Sequence, residues 1–279
     1  MKQENNFKIN RESNSHYISA DDIVYRTDLG KSSKVVYLSH QNTSGSCIKR
    51  IDKYTYLDKR DNKVKDYDLD KPVSIKDIKR KVKKYEELVL YNFNGGKNEL
   101  FITLTCRDKI TDLQVIKNRY QEFLKKIQKD YKGLECIALF ETTANSYWHI
   151  HLFLKYVDTS KVLTIPHQDL LNKYWTYGAV HIIKNSNTFR NLGHSKDSRQ
   201  EKLERLTNFP KGFRMYLKTR GIKTPPKEKI PYKDCPEYQS SDYSVTKTDT
   251  YIIRNENTDA IVNTITTIMY RNNKPKIEK

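Results

Sequence analysis

Two imidazoles and a carboxylate are the residues best placed to do chemistry. His149-Ile150-His151 alternates histidine with an apolar residue. Side chains two apart on a strand share a face, at a separation of about 6.5–7 Å along the backbone. Both imidazoles then point one way, while Ile150, Leu152 and Leu154 point the other way into a core. Eight residues before the first histidine stands Glu141, which ends the preceding apolar stretch. If the chain folds back across 142–148, Glu141 comes to lie beside the histidines. A carboxylate with two neutral imidazoles holds a divalent cation and leaves positions open for water and phosphate oxygens, which suits Mg²⁺ or Mn²⁺ acting as a Lewis acid. An isolated His-x-His pair more often belongs to a core, and an isolated Glu141 would simply meet solvent. It is the three together that point to a metal site.

Elements of an α+β fold would position these groups. ELFITLT (Glu99–Thr105) reads as a strand, rich in β-branched and aromatic residues. Its Thr103 and Thr105 alternate and are expected to share the metal face. Over 111–131, Leu113, Ile116, Tyr120, Phe123, Leu124 and Ile127 form one helical face, opened by a capping box of Thr111 and Gln114. Strands follow over 135–141 and 149–155, then a helix from Pro166 to Tyr177 stopped by Gly178, then a strand over 179–183. Strand, helix, strand, strand, helix, strand is the split βαβ order of a ferredoxin-like antiparallel sheet with flanking helices.

Upstream, a helix from Ser74 carries Ile75, Ile78, Val82, Tyr85 and Val89 on one face and Lys79, Arg80, Lys81, Lys83 and Lys84 on the others. Such a face is either solvated, its commoner role, or in contact with a phosphate backbone. Residues 1–73 read as a polar arm or small extension, with a short hairpin around Asp61-Asn62. Residues 74–230 read as the functional domain, and 231–279 as a C-terminal extension packing on it. Within that extension 231–247 is loop-like and 249–271 holds a strand and a helix. A polar, helical stretch is expected from Lys184 to Leu206, and a strand over 214–218.

Charge narrows the function class. The 279 residues include 52 Lys+Arg against 34 Asp+Glu, a net charge of +18. Such a surface favours polyanions through counterion release, nucleic acid first among them. A lysine-rich composition can also reflect genomic bias. No run approaches the roughly 20 apolar residues of a spanning helix, and no secretory signal opens the chain. Cys47, Cys106, Cys136 and Cys235 show no CxxC spacing and read as reduced thiols of a cytoplasmic protein. Gly30-Lys31-Ser32 lacks the upstream glycine of a phosphate-binding loop, because position 25 is tyrosine, so no nucleotide triphosphate site is expected.

In this order the motifs resemble those of HUH endonucleases of the rolling-circle replication initiator type, found in small phages and plasmids. FITLT (Phe101–Thr105) resembles the first motif, and Glu141 through Trp148-His149-Ile150-His151 resembles the second. Tyr174-Trp175-Thr176-Tyr177-Gly178 with Val180 and Ile182 resembles the helix and strand that follow, and residues 216–225 resemble a basic segment beyond the third motif. The resemblance covers roughly residues 75–230. It implies a site-specific single-stranded DNA nickase acting at a replication origin, working with the host replication machinery and needing neither ATP nor a membrane. A tyrosine hydroxyl would attack a metal-polarised phosphate, leaving a 5′-phosphotyrosine link and a free 3′-OH. Lys196, Lys218, Arg220 and Lys223 would contact DNA, as would Thr103 and Thr105.

The third motif departs from the family pattern. Where Tyr-x-x-Lys is expected, the best register puts Phe189 and Leu192, and no tyrosine occurs between Tyr177 and Tyr216. Phenylalanine has no oxygen with which to attack. Three explanations stay open: a Tyr→Phe form, natural or engineered, that binds without cutting; Tyr216 as nucleophile; or another of the 20 tyrosines. The rival functions are a relaxase or transposase of the same superfamily, a catalytically silent DNA-binding initiator, and an RNA-binding sheet. The last is disfavoured because the inner strands present Glu and His rather than stacking aromatics.

Overall fold

The computed structural model describes residues 7–12, 17–41, 46–68, 74–143, 147–183 and 214–273. The chain divides into two compact units, one of residues 1–71 with 225–279 and the other of residues 72–224.

In the first unit, short β-branched runs separated by turns give β1 (Phe7–Glu12), β2 (Ile23–Asp28), β3 (Ser32–Leu38), β4 (Ile48–Arg50), β5 (Thr55–Asp58) and β6 (Lys63–Asp66). The last two form the hairpin expected around Asp61-Asn62, with Asn62 in the left-handed region at φ 52°. Gly30, at φ 77°, makes the turn from β2 to β3, so Gly30-Lys31-Ser32 is a hairpin corner.

The second unit contains α1 (Ile75–Asn92), β7 (Glu99–Thr105), α2 (Leu113–Asp130), β8 (Leu134–Thr142), β9 (Trp148–Tyr156), α3 (His167–Asp169), β10 (Val180–Ile183) and β11 (Tyr216–Lys218). The first unit resumes with β12 (Lys227–Pro231), β13 (Tyr243–Asn255) and β14 (Ile261–Asn272). Its six-stranded antiparallel sheet runs β1-β13-β14-β3-β2-β12. A small cluster of Ile18, Val24, Val35, Cys235 and Tyr270 is buried there.

Two expectations change. The N-terminal segment, read as an arm, and the C-terminal segment, read as a separate extension, supply strands to one sheet: Phe7 pairs with Asn255 and Ile265 with Leu38. Local patterning carries no trace of a pairing that spans most of the chain. The helix expected within 249–271 is instead β14. Its Thr264, Thr266 and Tyr270 are buried at even positions, and β-branched threonines and isoleucines suit a pleated surface better than a helix.

The second unit bears out the α+β expectation. Its sheet runs β10-β7-β9-β8-β11, antiparallel throughout. Strands β7 and β8 run the same way with β9 between them, and α2 makes the crossover. Ser74 caps α1, its side chain accepting from the Asp77 N–H. Helix α2 is capped by Asp112, not by the Thr111 box. The second crossover is shorter than the helix expected over 166–177: α3 is followed by a π turn at Leu170–Tyr174, closed by the Trp175 N–H donating to Leu170 O. The wider turn lets adjacent Tyr174 and Trp175 both be buried, and the Trp175 indole N–H reaches Thr105 O at 2.8 Å.

Helices cover both faces of this sheet. Tyr120 of α2 meets Phe140 edge-on at 5.4 Å, on the face to which Ile150 and Leu152 also point. On the other face lies α1, with Tyr85 against Tyr216 at 5.5 Å and Phe93 against Phe153 at 5.3 Å. The histidines share the face of Phe153.

Candidate metal centre

Strand register assembles the site. Glu141 lies directly opposite His149 across β8 and β9, and Leu139 opposite His151. On the other side of β9, Thr105 faces His149 and Thr103 faces His151. The Trp148 indole donates to Thr111 O at 2.9 Å, anchoring the start of β9. Gly178 is required at the neighbouring corner, where a Cβ would stand 2.2 Å from Thr105 O.

Both imidazole Nε2 atoms point at one carboxylate oxygen: Glu141 Oε2 lies 3.7 Å from His149 Nε2 and 3.3 Å from His151 Nε2. The three ligand atoms lie within 4.8 Å of one another. Their side chains are 16–23% exposed, so solvent or a substrate oxygen can reach them. Burial by itself would raise the Glu141 carboxyl. Hydrogen bonds and charge from the two imidazoles outweigh it and hold the group well below the usual carboxylate range.

Donor chemistry fits a divalent cation. Two nitrogens and one carboxylate converge, and the second partner of His151 is already in place, since Thr103 Oγ1 lies 3.0 Å from His151 Nδ1. In the ligating tautomer Nδ1–H donates to Thr103 and the Nε2 lone pair faces Glu141. Phe101 stacks on the same ring at 6.0 Å and 12°. His149 Nδ1 has no partner among the described residues.

Other expected site residues fall as follows. Thr103 is engaged by His151, and Thr105 Oγ1 donates to Ala179 O at 3.3 Å. Tyr216 pairs with Leu139 and so shares the face of the cluster; it is half-buried, and burial raises its phenol. Lys218 pairs with Ile137, about 13 Å along β8 from Glu141 by strand rise, and its ammonium donates to Ile222 O at 2.6 Å. Arg220 and Lys223 are exposed on the turn beyond, where the Gly221 N–H donates to Glu135. The structure does not bring these three cations to the cluster. Phe189 and Lys196 lie outside the described residues.

One residue at the site escaped the sequence reading as anything but core. Tyr85 of α1 is 2% exposed, and its hydroxyl has no hydrogen-bond partner among the described residues. Burial, then the nearby Glu141 charge, push its phenol well above the ordinary value. A single tyrosine in an apolar stripe gives no sequence signal for this.

Residues 99–194 match a family model for the ORF2 type of replication-associated protein. That span takes in β7, α2, β8, β9 and β10, and with them all three cluster residues. The match supports a replication-associated family. No curated protein sequence matches the chain.

Proposed function

We propose that this chain is a metal-dependent single-stranded DNA nickase and ligase that initiates rolling-circle replication, with residues 74–230 as the HUH-type catalytic domain. The observation that carries the reading is the convergence of Glu141, His149 and His151 on adjacent inner strands of a sheet matched to a replication-associated family. The net charge of +18 supports a nucleic-acid substrate.

Held by these three side chains, Mg²⁺ or Mn²⁺ would supply Lewis-acid polarisation of a phosphate. The protein's own part is to fix His151 through Thr103 and to keep Glu141 ionised between the imidazoles. A tyrosine hydroxyl then attacks phosphorus, the bond to the 3′ oxygen breaks, and a 5′-phosphotyrosine and a free 3′-OH result. Reversal by a 3′-OH rejoins the strand with no nucleotide triphosphate. The DNA partner would be an origin sequence, and the free 3′-OH would prime host replication enzymes.

Phe189 at the family tyrosine position favours a second reading, a DNA-binding initiator that does not cut. One gel distinguishes the two. The unmodified chain, Phe189→Tyr and Tyr216→Phe are incubated with the same single-stranded oligonucleotide and Mn²⁺, and covalent adducts are resolved. We expect Phe189→Tyr to create or enhance the adduct and Tyr216→Phe to change little. An adduct from the unmodified chain that Tyr216→Phe abolishes makes Tyr216 the nucleophile. If none of the three forms an adduct, the nickase reading falls.

A further inference from the structure

We propose that the exposed cationic face of α1 is a track for the phosphate backbone of single-stranded DNA, leading to the Glu141, His149 and His151 cluster; this rests on the nickase reading above. Lys76, Lys79, Arg80, Lys81, Lys83 and Lys84 are all exposed. Arg80 pairs with Asp77 at 2.9 Å, and none of the five lysines has an ion pair among the described residues. At 100° per residue, Lys76, Lys79, Arg80 and Lys83 form one ridge on the side away from Ile78 and Tyr85. The ridge is about 10 Å long, enough for two or three successive phosphates.

Helix stability does not explain this face. Cations three and four residues apart repel, and cations in the first half of a helix oppose its dipole. An exposed helix selected only for solubility would interleave acids. The charge is also local to the unit that carries the cluster: residues 72–224 hold 29 of the 52 Lys and Arg but only 15 of the 34 Asp and Glu, which leaves +14 of the net +18 there.

Packing ties the ridge to the site. Tyr85, one turn beyond Lys81, lies against Tyr216 and near the Glu141 carboxylate. Phe93, at the C-terminal end of α1, contacts Phe153, which lies farther along β9 than the histidines. The lysine-bearing half of α1 therefore extends past the cluster end of the sheet. A membrane surface is the weaker partner, because a helix lying on lipid needs a free apolar face and that of α1 is buried in the core of its own unit.

The test uses the full chain in metal-free buffer with a fluorescein-labelled single-stranded oligonucleotide, read by anisotropy across a salt series. Lys76→Gln/Lys79→Gln/Lys83→Gln is compared with Lys125→Gln/Lys126→Gln/Lys129→Gln, which removes equal charge from exposed positions on α2, across the sheet. Circular dichroism checks that both variants fold. The α1 variant should bind at least about tenfold more weakly at low salt, with a log–log slope shallower by about 2, at roughly 0.7 per lost phosphate contact. The α2 variant should stay within about twofold of the parent. Equal losses in both variants, or none in the α1 variant, overturn the track. So does an α1 variant that keeps DNA affinity but loses binding to phosphatidylglycerol vesicles. A parent chain that binds no single-stranded DNA overturns the nickase reading itself, and the track with it.

Discussion

Replacing Thr103 by valine tests whether the cluster is built to hold a metal. The substitution keeps a β-branched side chain of nearly the same volume on a central strand, so β7 retains its propensity and its packing. What disappears is the oxygen 3.0 Å from His151 Nδ1. A ligating His151 must leave Nε2 bare and carry its proton on Nδ1, and that N–H then has no acceptor. A buried donor without a partner costs about 1–3 kcal/mol. Without the metal, the ring escapes the cost by moving its proton to Nε2, facing Glu141. With the metal bound it cannot, so the penalty falls on binding alone. Loss of such an outer partner typically weakens metal affinity about 10–100-fold, or about 1.4–2.8 kcal/mol. Calorimetric titration with Mn²⁺ reads this directly, with His149→Ala/His151→Ala as the zero-binding reference. Thr103→Ser should recover most of the affinity. Mn²⁺ affinity in Thr103→Val within about twofold of the parent would refute the assignment of Thr103 as the positioning partner. Full affinity in the double histidine variant would refute the site.

Three further outcomes follow from the geometry. Gly178→Ala drives a methyl group to 2.2 Å from Thr105 O, a backbone atom that cannot swing aside, and should cost about 1–3 kcal/mol, seen as a lower melting temperature; an unchanged midpoint contradicts the close approach. Tyr85→Phe removes a buried hydroxyl that has no partner among the described residues, so chemical denaturation should show unchanged or slightly greater stability, and a loss above about 1 kcal/mol means the hydroxyl is bonded in solution. Burial pushes the Cys136 and Cys235 thiols up to about 11, so both stay protonated at pH 8 and resist iodoacetamide, whereas exposed Cys47 should alkylate first by mass spectrometry.

Elements that bury one face by local periodicity were legible in the residues. Strand β7 was read at its observed bounds, and the Glu141–His149–His151 arrangement follows from a two-residue period and a fold-back, both short-range properties. The second crossover was not legible in detail. An apolar stretch ending in Tyr174-Trp175 fits a helix, but neighbouring residues of an α-helix point 100° apart. Burying both large rings required the π turn, and the demand came from the core beside Thr105. The first unit was less legible still. Its sheet joins Phe7 to Asn255, and no window of sequence contains both.

Function divides along the same line. The ligands of the cluster are neighbours in register, so their residue types and spacing sufficed to find them. Tyr85 comes from a helix that precedes the sheet in the chain, and only tertiary packing brings it to Glu141. In the sequence it differs in no way from Ile78 or Val89 on the same stripe. Its hydroxyl distinguishes it only once the surroundings are known: leucine or phenylalanine would fill that core without the desolvation cost of an unpaired polar atom. The lysine ridge is the converse case. Its residues are conspicuous in the sequence, but solvent alone could account for them until the buried face of α1 is found resting on the strands that carry the cluster. Position relative to the metal ligands is what turns a charged helix face into a candidate path for DNA.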